Sequence, residues 1–232
     1  MRSIILLALA LSTVTGIFTL TASADDPALQ AVFQRMDKAA ANFKGFTADV
    51  VKIDHQSIID DNDKQTGTIA VRKPNPRGFQ LLEKFLPDGE QVELNDTRVE
   101  IYHPRTKTLQ ADDVGKKYRA LEEEVLLVGL GGSSKDLLAG YQVSLGGPET
   151  VAGQPATRLI LIPKDPQLAQ NYPKFEVWYS DATGIAVQQK WYEKGLVDYH
   201  IQTYTNMKIG PVSDADLRLV VPKDVHREHL IH

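Results

Sequence analysis

Three histidines, His226, His229 and His232, stand three residues apart near the end of the chain. On a helix that spacing lines one side with imidazoles, as a metal ion would require. No second carboxylate cluster accompanies them, and a chain terminus frays, so a solvated tail is expected instead. Asp60, Asp61 and Asp63 crowd one turn in the manner of a calcium loop. The glycine at the sixth position and the late glutamate of such loops are missing, which leaves a hairpin tip in water. Catalysis asks for a nucleophile beside a base. The sequence has no cysteine, no G-x-S-x-G, no H-E-x-x-H and no glycine-rich phosphate loop. His55, His103 and His200 fall on separate strand or turn positions without a local partner. No catalytic residue, metal or cofactor is assigned, and the expectation is a protein that is not an enzyme.

One charged feature remains, a basic corner. "VRKPNPRGF", residues 71 to 79, sets Arg72, Lys73 and Arg77 around two prolines, with apolar alternation on both sides. The cations either solvate a tight turn or hold another element in place. Side chains alternate along a strand, so Arg72 and Lys73 are expected on opposite faces.

The elements that position these residues begin after a leader. Arg2, an apolar run from Ile4 to Leu20 and "TASA" read as a secretory signal peptide, residues 1–24, cleaved after Ala24. The competing reading, a membrane anchor, has only Arg2 as a preceding charge, and Ala22-x-Ala24 suits the peptidase. With no cysteine at the cleavage site there is no lipid attachment, and with none elsewhere no disulfide. The expectation is an exported periplasmic protein, residues 25–232, forming a single domain and a monomer. Loss of Arg2 takes the formal net charge from −4 to −5, which argues against a nucleic-acid partner.

Asp26 and Pro27 open a helix on which Leu29, Val32, Phe33, Met36, Ala40 and Phe43 make one apolar face, and Gly45 ends it. The period then becomes two. "FTADVVKID", "QTGTIAVR", "GFQLLEKF", "EQVELND", "RVEIYHP" and "KTLQAD" are strands joined by short turns, an antiparallel meander. Residues 115–141 break the alternation. Tyr118, Leu121, Val125 and Val128 are helix-spaced, with "EEE" at 122–124 as the wet face; "GLGGSS" interrupts, and "SSKDLLAG" reads as a short helix opened by Ser134 and closed by Gly140. Strands resume with "YQVSLGG", "ATRLILIP", "FEVWYS", "IAVQQKWYE" and "LVDYHIQTYTNMKI", and end with "DLRLVVP". A meander of eleven or twelve strands must twist and curl. The first helix and the glycine-jointed central segment are the pieces available to cover its concave side. The fold class expected is mainly β, an unclosed antiparallel barrel of about eleven strands with a helical lid and an apolar interior.

Over nearly the whole mature chain the sequence resembles the periplasmic lipoprotein-carrier family, the soluble Lol carriers, and their relatives that sense cell-envelope stress. The resemblance is carried by the helix leading into "FTADVVK", then "TGTIAVRKPNPRGFQ", "VELNDTRVEIYHPRTKTL", "LILIPKD", "FEVWYSDATGIAVQQKWYEKG" and "DADLRLVVPKDV", in that order. It implies an unclosed barrel whose interior receives acyl chains. It also implies a carrier that takes acylated lipoprotein from an inner-membrane ATP-driven (ABC) transporter and passes it to an outer-membrane receptor. In the carriers an arginine before the proline latches the lid by bonding backbone carbonyls. Lys73 stands there in this sequence and lacks the planar fork of donors, with Arg72 before it and Arg77 across the turn.

Burial explains why such a carrier is hollow. Each methylene is worth about 0.8 kcal/mol, so a sixteen-carbon chain leaves a membrane at a cost of roughly 12 kcal/mol unless an apolar site replaces it. Candidate lining residues are Phe33 and Met36 on the first helix and Leu126, Leu127 and Leu130 on the lid. On strands they are Val50, Ile69, Phe79, Leu81, Ile101, Leu159, Leu161, Val177, Trp191 and Tyr204. Two rivals stay open: a carrier of another lipid, phospholipid or isoprenoid, and a lipid-binding stress sensor. The family's sensors carry a further C-terminal domain, and this sequence stops soon after "VPKDV", which favours the carrier.

Overall fold

The computed structural model describes residues 26–73, 79–95, 98–113 and 129–229. Helix α1 (Pro27–Asn42) starts where expected: the Asp26 carboxylate accepts from the Ala28 N–H at 2.8 Å, and Pro27 needs no acceptor. Leu29, Val32, Phe33 and Met36 form its buried stripe.

Twelve strands follow: β1 (Gly45–Gln56), β2 (Asp61–Arg72), β3 (Gln80–Leu86), β4 (Gln91–Asn95), β5 (Arg98–His103), β6 (Thr108–Asp113), β7 (Tyr141–Val151), β8 (Gln154–Pro163), β9 (Lys174–Ser180), β10 (Ala186–Tyr192), β11 (Tyr199–Ile209) and β12 (His226–Glu228). They make one sheet in the order β12-β6-β5-β4-β3-β2-β1-β11-β10-β9-β8-β7. From β1 the chain meanders outward to β6 and crosses to the far edge at β7. It then meanders back until β11 pairs antiparallel with β1. All pairings are antiparallel except β12 with β6, and β7 does not close on β12, so the barrel is open.

Gly67 marks a close approach of β3 to β2. It lies between Val50 of β1 and Phe85 of β3, and a Cβ there would run into the Lys84 carbonyl. Only glycine lets β3 fold over β2 so tightly. The concave face carries two apolar clusters. One joins α1 to β7–β10; the other gathers Phe46, Val50, Val71, Leu81, Phe85 and Tyr204 from β1–β3 and β11.

Three local expectations need correction. "DLRLVVP" is not a strand. Leu217 and Leu219 do alternate inward, but the segment is a strap that packs them with Val212 on the outer face against Ala70, Leu82 and Tyr102. Its backbone is anchored by a side chain instead of a ladder, the Leu219 N–H donating to Glu93 Oε2 at 2.7 Å. His226, assigned to a frayed tail, begins β12, where its N–H donates to the Lys107 carbonyl. Helix α2 (Ser134–Gly140) is capped by Ser133 instead of Ser134, in a reciprocal capping box with Asp136. A third helix, α3 (Pro166–Asn171), was legible and missed: Asp165-Pro166 repeats the start signal of Asp26-Pro27.

Candidate functional site: the concave face

The strand residues proposed as lining divide between two buried apolar clusters. Phe33, Met36, Leu159, Leu161 and Val177 are buried in the cluster under α1, with Trp191 packed at its margin. Val50, Ile69, Phe79, Leu81, Leu130 and Tyr204 belong to the other, with Ile101 at its margin. Leu126, Leu127 and Arg77 lie outside the described residues, as do residues 1–24.

Leu130 enters the second cluster from the crossing segment and is fully buried. The backbone before it is pinned to the sheet, the Gly129 carbonyl accepting from the Ala186 N–H at 3.0 Å. A Cβ at Gly129 would strike the side-chain amide of Gln189, so glycine permits this approach. On the far side Ser134 donates its N–H and hydroxyl to Asp37 of α1, at 2.7 and 2.8 Å, tying α2 to α1.

Toward the hairpin tips the same concave face turns polar. Lys52 pairs with Asp54 at 3.0 Å, and His200 lies 2.6 Å from Asp54 and 2.8 Å from Glu193, stacked on Trp191. The bond to Asp54 raises the pKa of His200, and Glu193 adds to it against burial. Burial pushes Asp54 up, but the bonds from His200 and Lys52 outweigh it and leave the carboxyl below its ordinary value. Both imidazole nitrogens are taken by carboxylates, which makes this a charge clasp. Deeper in, Gln202 donates toward Glu83 at 3.4 Å and accepts from the Tyr204 hydroxyl at 2.8 Å. Burial raises the Glu83 carboxyl to about 7, with Lys52 opposing.

Sequence reading missed both groups. Glu83 was within reach, since it shares parity with Leu81 and Phe85 on β3. The His200–Asp54 pair was not, because it depends on the register of β11 against β1, strands 146 residues apart.

Arg72 and Lys73 of the basic corner have different surroundings. Arg72 faces outward: it donates to the Val212 carbonyl at 3.0 Å, to Gln80 at 3.0 and 2.6 Å, and pairs with Asp214 at 2.7 Å. It clamps the C-terminal strap, and its fork is not turned toward α2. Lys73 is exposed, and its charge reaches Asp136 in α2, whose carboxyl is held low chiefly by the Ser133 hydroxyl. Grooves of about 670 Å³ and 550 Å³ lie beside the strap and at the hairpin rim. Threonine, asparagine, lysine and aspartate line much of them, unlike the concave face.

No protein-family description matches the sequence, and no curated protein matches it. Solved structures do match. An uncharacterized conserved protein from Thermus thermophilus is 13% identical with a TM-score of 0.55, covering 88% of this chain and 99% of its own. MucB is 18% identical with a TM-score of 0.51, covering 82% of this chain; this chain spans 62% of the length of MucB. MucB is also solved with MucA from Pseudomonas aeruginosa, where the identity is 18% and the TM-score 0.50, over 82% of this chain and 61% of that one. At these identities the likeness is one of fold: a strongly curved, unclosed antiparallel sheet with helices on its concave side. The resemblance read from the sequence holds at that level. Among the described residues no helix is long and apolar enough to cross a membrane, and no group of side chains could hold a metal ion.

Proposed function

We propose that this chain is a periplasmic carrier that binds acyl chains against its concave face and shuttles acylated lipoproteins from the inner to the outer membrane. The observation that carries the reading is the union of two apolar clusters on one face of an open sheet, covered by short helices and a single pinned glycine segment. A sheet that only needed a core could close on itself; this one keeps its edges apart and lays separable pieces over an apolar floor. Residues 1–24 serve as a cleaved signal peptide, an ATP-driven inner-membrane transporter loads the cargo, and an outer-membrane receptor takes it. Lys73 acts as the latch cation, through its charge on Asp136. The test is native mass spectrometry of the protein purified from its own periplasm. Acylated N-terminal peptides are expected; a free phospholipid or isoprenoid would mean another cargo, and no bound lipid with no uptake of a fluorescent fatty acid would sink the reading.

The likeness to MucB supports a second reading, in which lipid occupancy governs a membrane-bound signalling partner. Crosslinking in intact cells separates the two: a receptor of the outer membrane is recovered in the first case, an inner-membrane regulator in the second.

A further inference from the structure

Two side-chain atoms buried on the concave face have no hydrogen-bond partner among the described residues, and they are complementary. Glu83 Oε1 on β3 is an acceptor when ionised, and Gln189 Nε2 on β10 is a donor. Gln202 stands between them: it is opposite Gln189 in the β10–β11 register and donates toward the other oxygen of Glu83. The 3.4 Å approach of Gln202 to Glu83 brings a β11 side chain to β3 across the curve of the sheet. Leaving a buried donor or acceptor unpaired costs about 1–3 kcal/mol, so two such atoms, linked through Gln202 on one face of the sheet, ask for a ligand that satisfies both.

We propose that Glu83 and Gln189 seat the polar linkage of an acyl ligand, and that the linkage they fit is an amide. This rests on the acyl-binding reading above and names its ligand more closely. An amide offers one N–H, for Glu83, and one C=O, for Gln189. An ester offers acceptors only, so Gln189 is satisfied while the Glu83 carboxylate stays buried and unpaired. The acyl tail runs from this seat along the apolar clusters, and whatever the amide joins lies toward Lys52, Asp54 and His200.

The test uses a matched pair, N-hexadecanoyl ethanolamine and the hexadecanoyl monoester of ethylene glycol, which differ by N–H against O. Binding to the full mature chain is measured at pH 8, where Glu83, raised to about 7 by burial, lowered by Lys52 and the Gln202 bond and raised by Glu90 and Asp54, is mostly ionised and accepts. The amide is expected to bind at least about tenfold tighter, and Glu83→Met to remove that preference by weakening the amide alone. Glu83→Gln keeps an acceptor and should keep the preference. Gln189→Met should weaken both ligands by the same factor. Equal binding of the pair to the wild type, or a preference that survives Glu83→Met, overturns the seat while leaving acyl binding intact. Failure of both ligands to bind overturns the seat and the acyl-binding reading together.

Discussion

The two ends of β1 share one face of the sheet and are built on opposite terms. At one end Phe46 and Val50 are 0% and 1% exposed and meet Val71, Leu81 and Leu130. At the other, Lys52 and Asp54 are about a quarter to a fifth exposed and meet Glu83, Gln202 and His200. Parity fixes which face a residue takes but not its polarity, so one strand can furnish an apolar store and a polar mouth within a few residues. An amphiphile has the same division. The difference suggests that the apolar end supplies affinity for a chain and the polar end decides what the chain is attached to.

The most damaging way to break this contrast is to uncurl the sheet. Gly67→Val would drive a side chain into the β3 backbone and separate the apolar floor from the polar rim. A loss of at least about 4 kcal/mol is expected in urea denaturation, with uptake of a fluorescent fatty acid abolished. Breaking only the apolar end is the next largest effect. Leu130→Ala empties a fully buried site in the cluster and should cost about 3 kcal/mol, with the pH profile of stability unchanged.

The polar end is broken by pH. Glu83 has its pKa raised from 4.5 to about 7, so between those values the folded state holds a proton that the unfolded state has released. Its contribution is complete below pH 4.5 and disappears as pH rises through 7, up to roughly 3 kcal/mol in all. Denaturation across this range should show stability falling with pH, and Glu83→Gln should flatten it. His200, also raised, has the same sign but a later window: its share is present below 6.5 and fades only as pH climbs through the higher folded value. His200→Gln should cost about 1 kcal/mol at pH 6 and less at pH 9. Asp54, held low, makes the opposite contribution, lost as pH falls below its ordinary range.

The apolar end was legible in the sequence and the polar end was not, for a physical reason. Period-two alternation marks positions that share a face wherever the shared residues are apolar, and so Val50, Ile69, Leu81, Leu159, Leu161 and Val177 could be proposed by strand pattern, while the pattern alone leaves open which face turns inward. Lys52, Asp54 and His200 occupy the same parity but read as solvent-facing, because a charge on a strand normally is. Parity puts them on the face of Val50 and Tyr204, and their pairing depends on the register of β1 against β11, which leaves no local mark. The strap fails in the reverse direction. Leu217 and Leu219 alternate as a strand does, while the ladder that would make them one is absent. The helix at Asp165-Pro166 is a third kind of miss, a local signal overlooked because its six residues are too few to show an apolar period.

The smallest effect distinguishes Arg72 from Lys73, neighbours in the basic corner with different surroundings. Arg72 is clamped to Val212, Gln80 and Asp214 on the outer face. Arg72→Ala should loosen the strap, seen as faster hydrogen exchange at Leu219, without altering the affinity for an acyl probe. Lys73 is exposed and acts on Asp136 through water, so Lys73→Ala should change global stability by less than about 0.5 kcal/mol. If it is the latch, the mutant should still exchange acyl probe faster than the wild type at low salt, and the gap should close as salt rises, since screening removes the same charge from both. Equal exchange rates at low salt would leave Lys73 as a cation that merely solvates its turn.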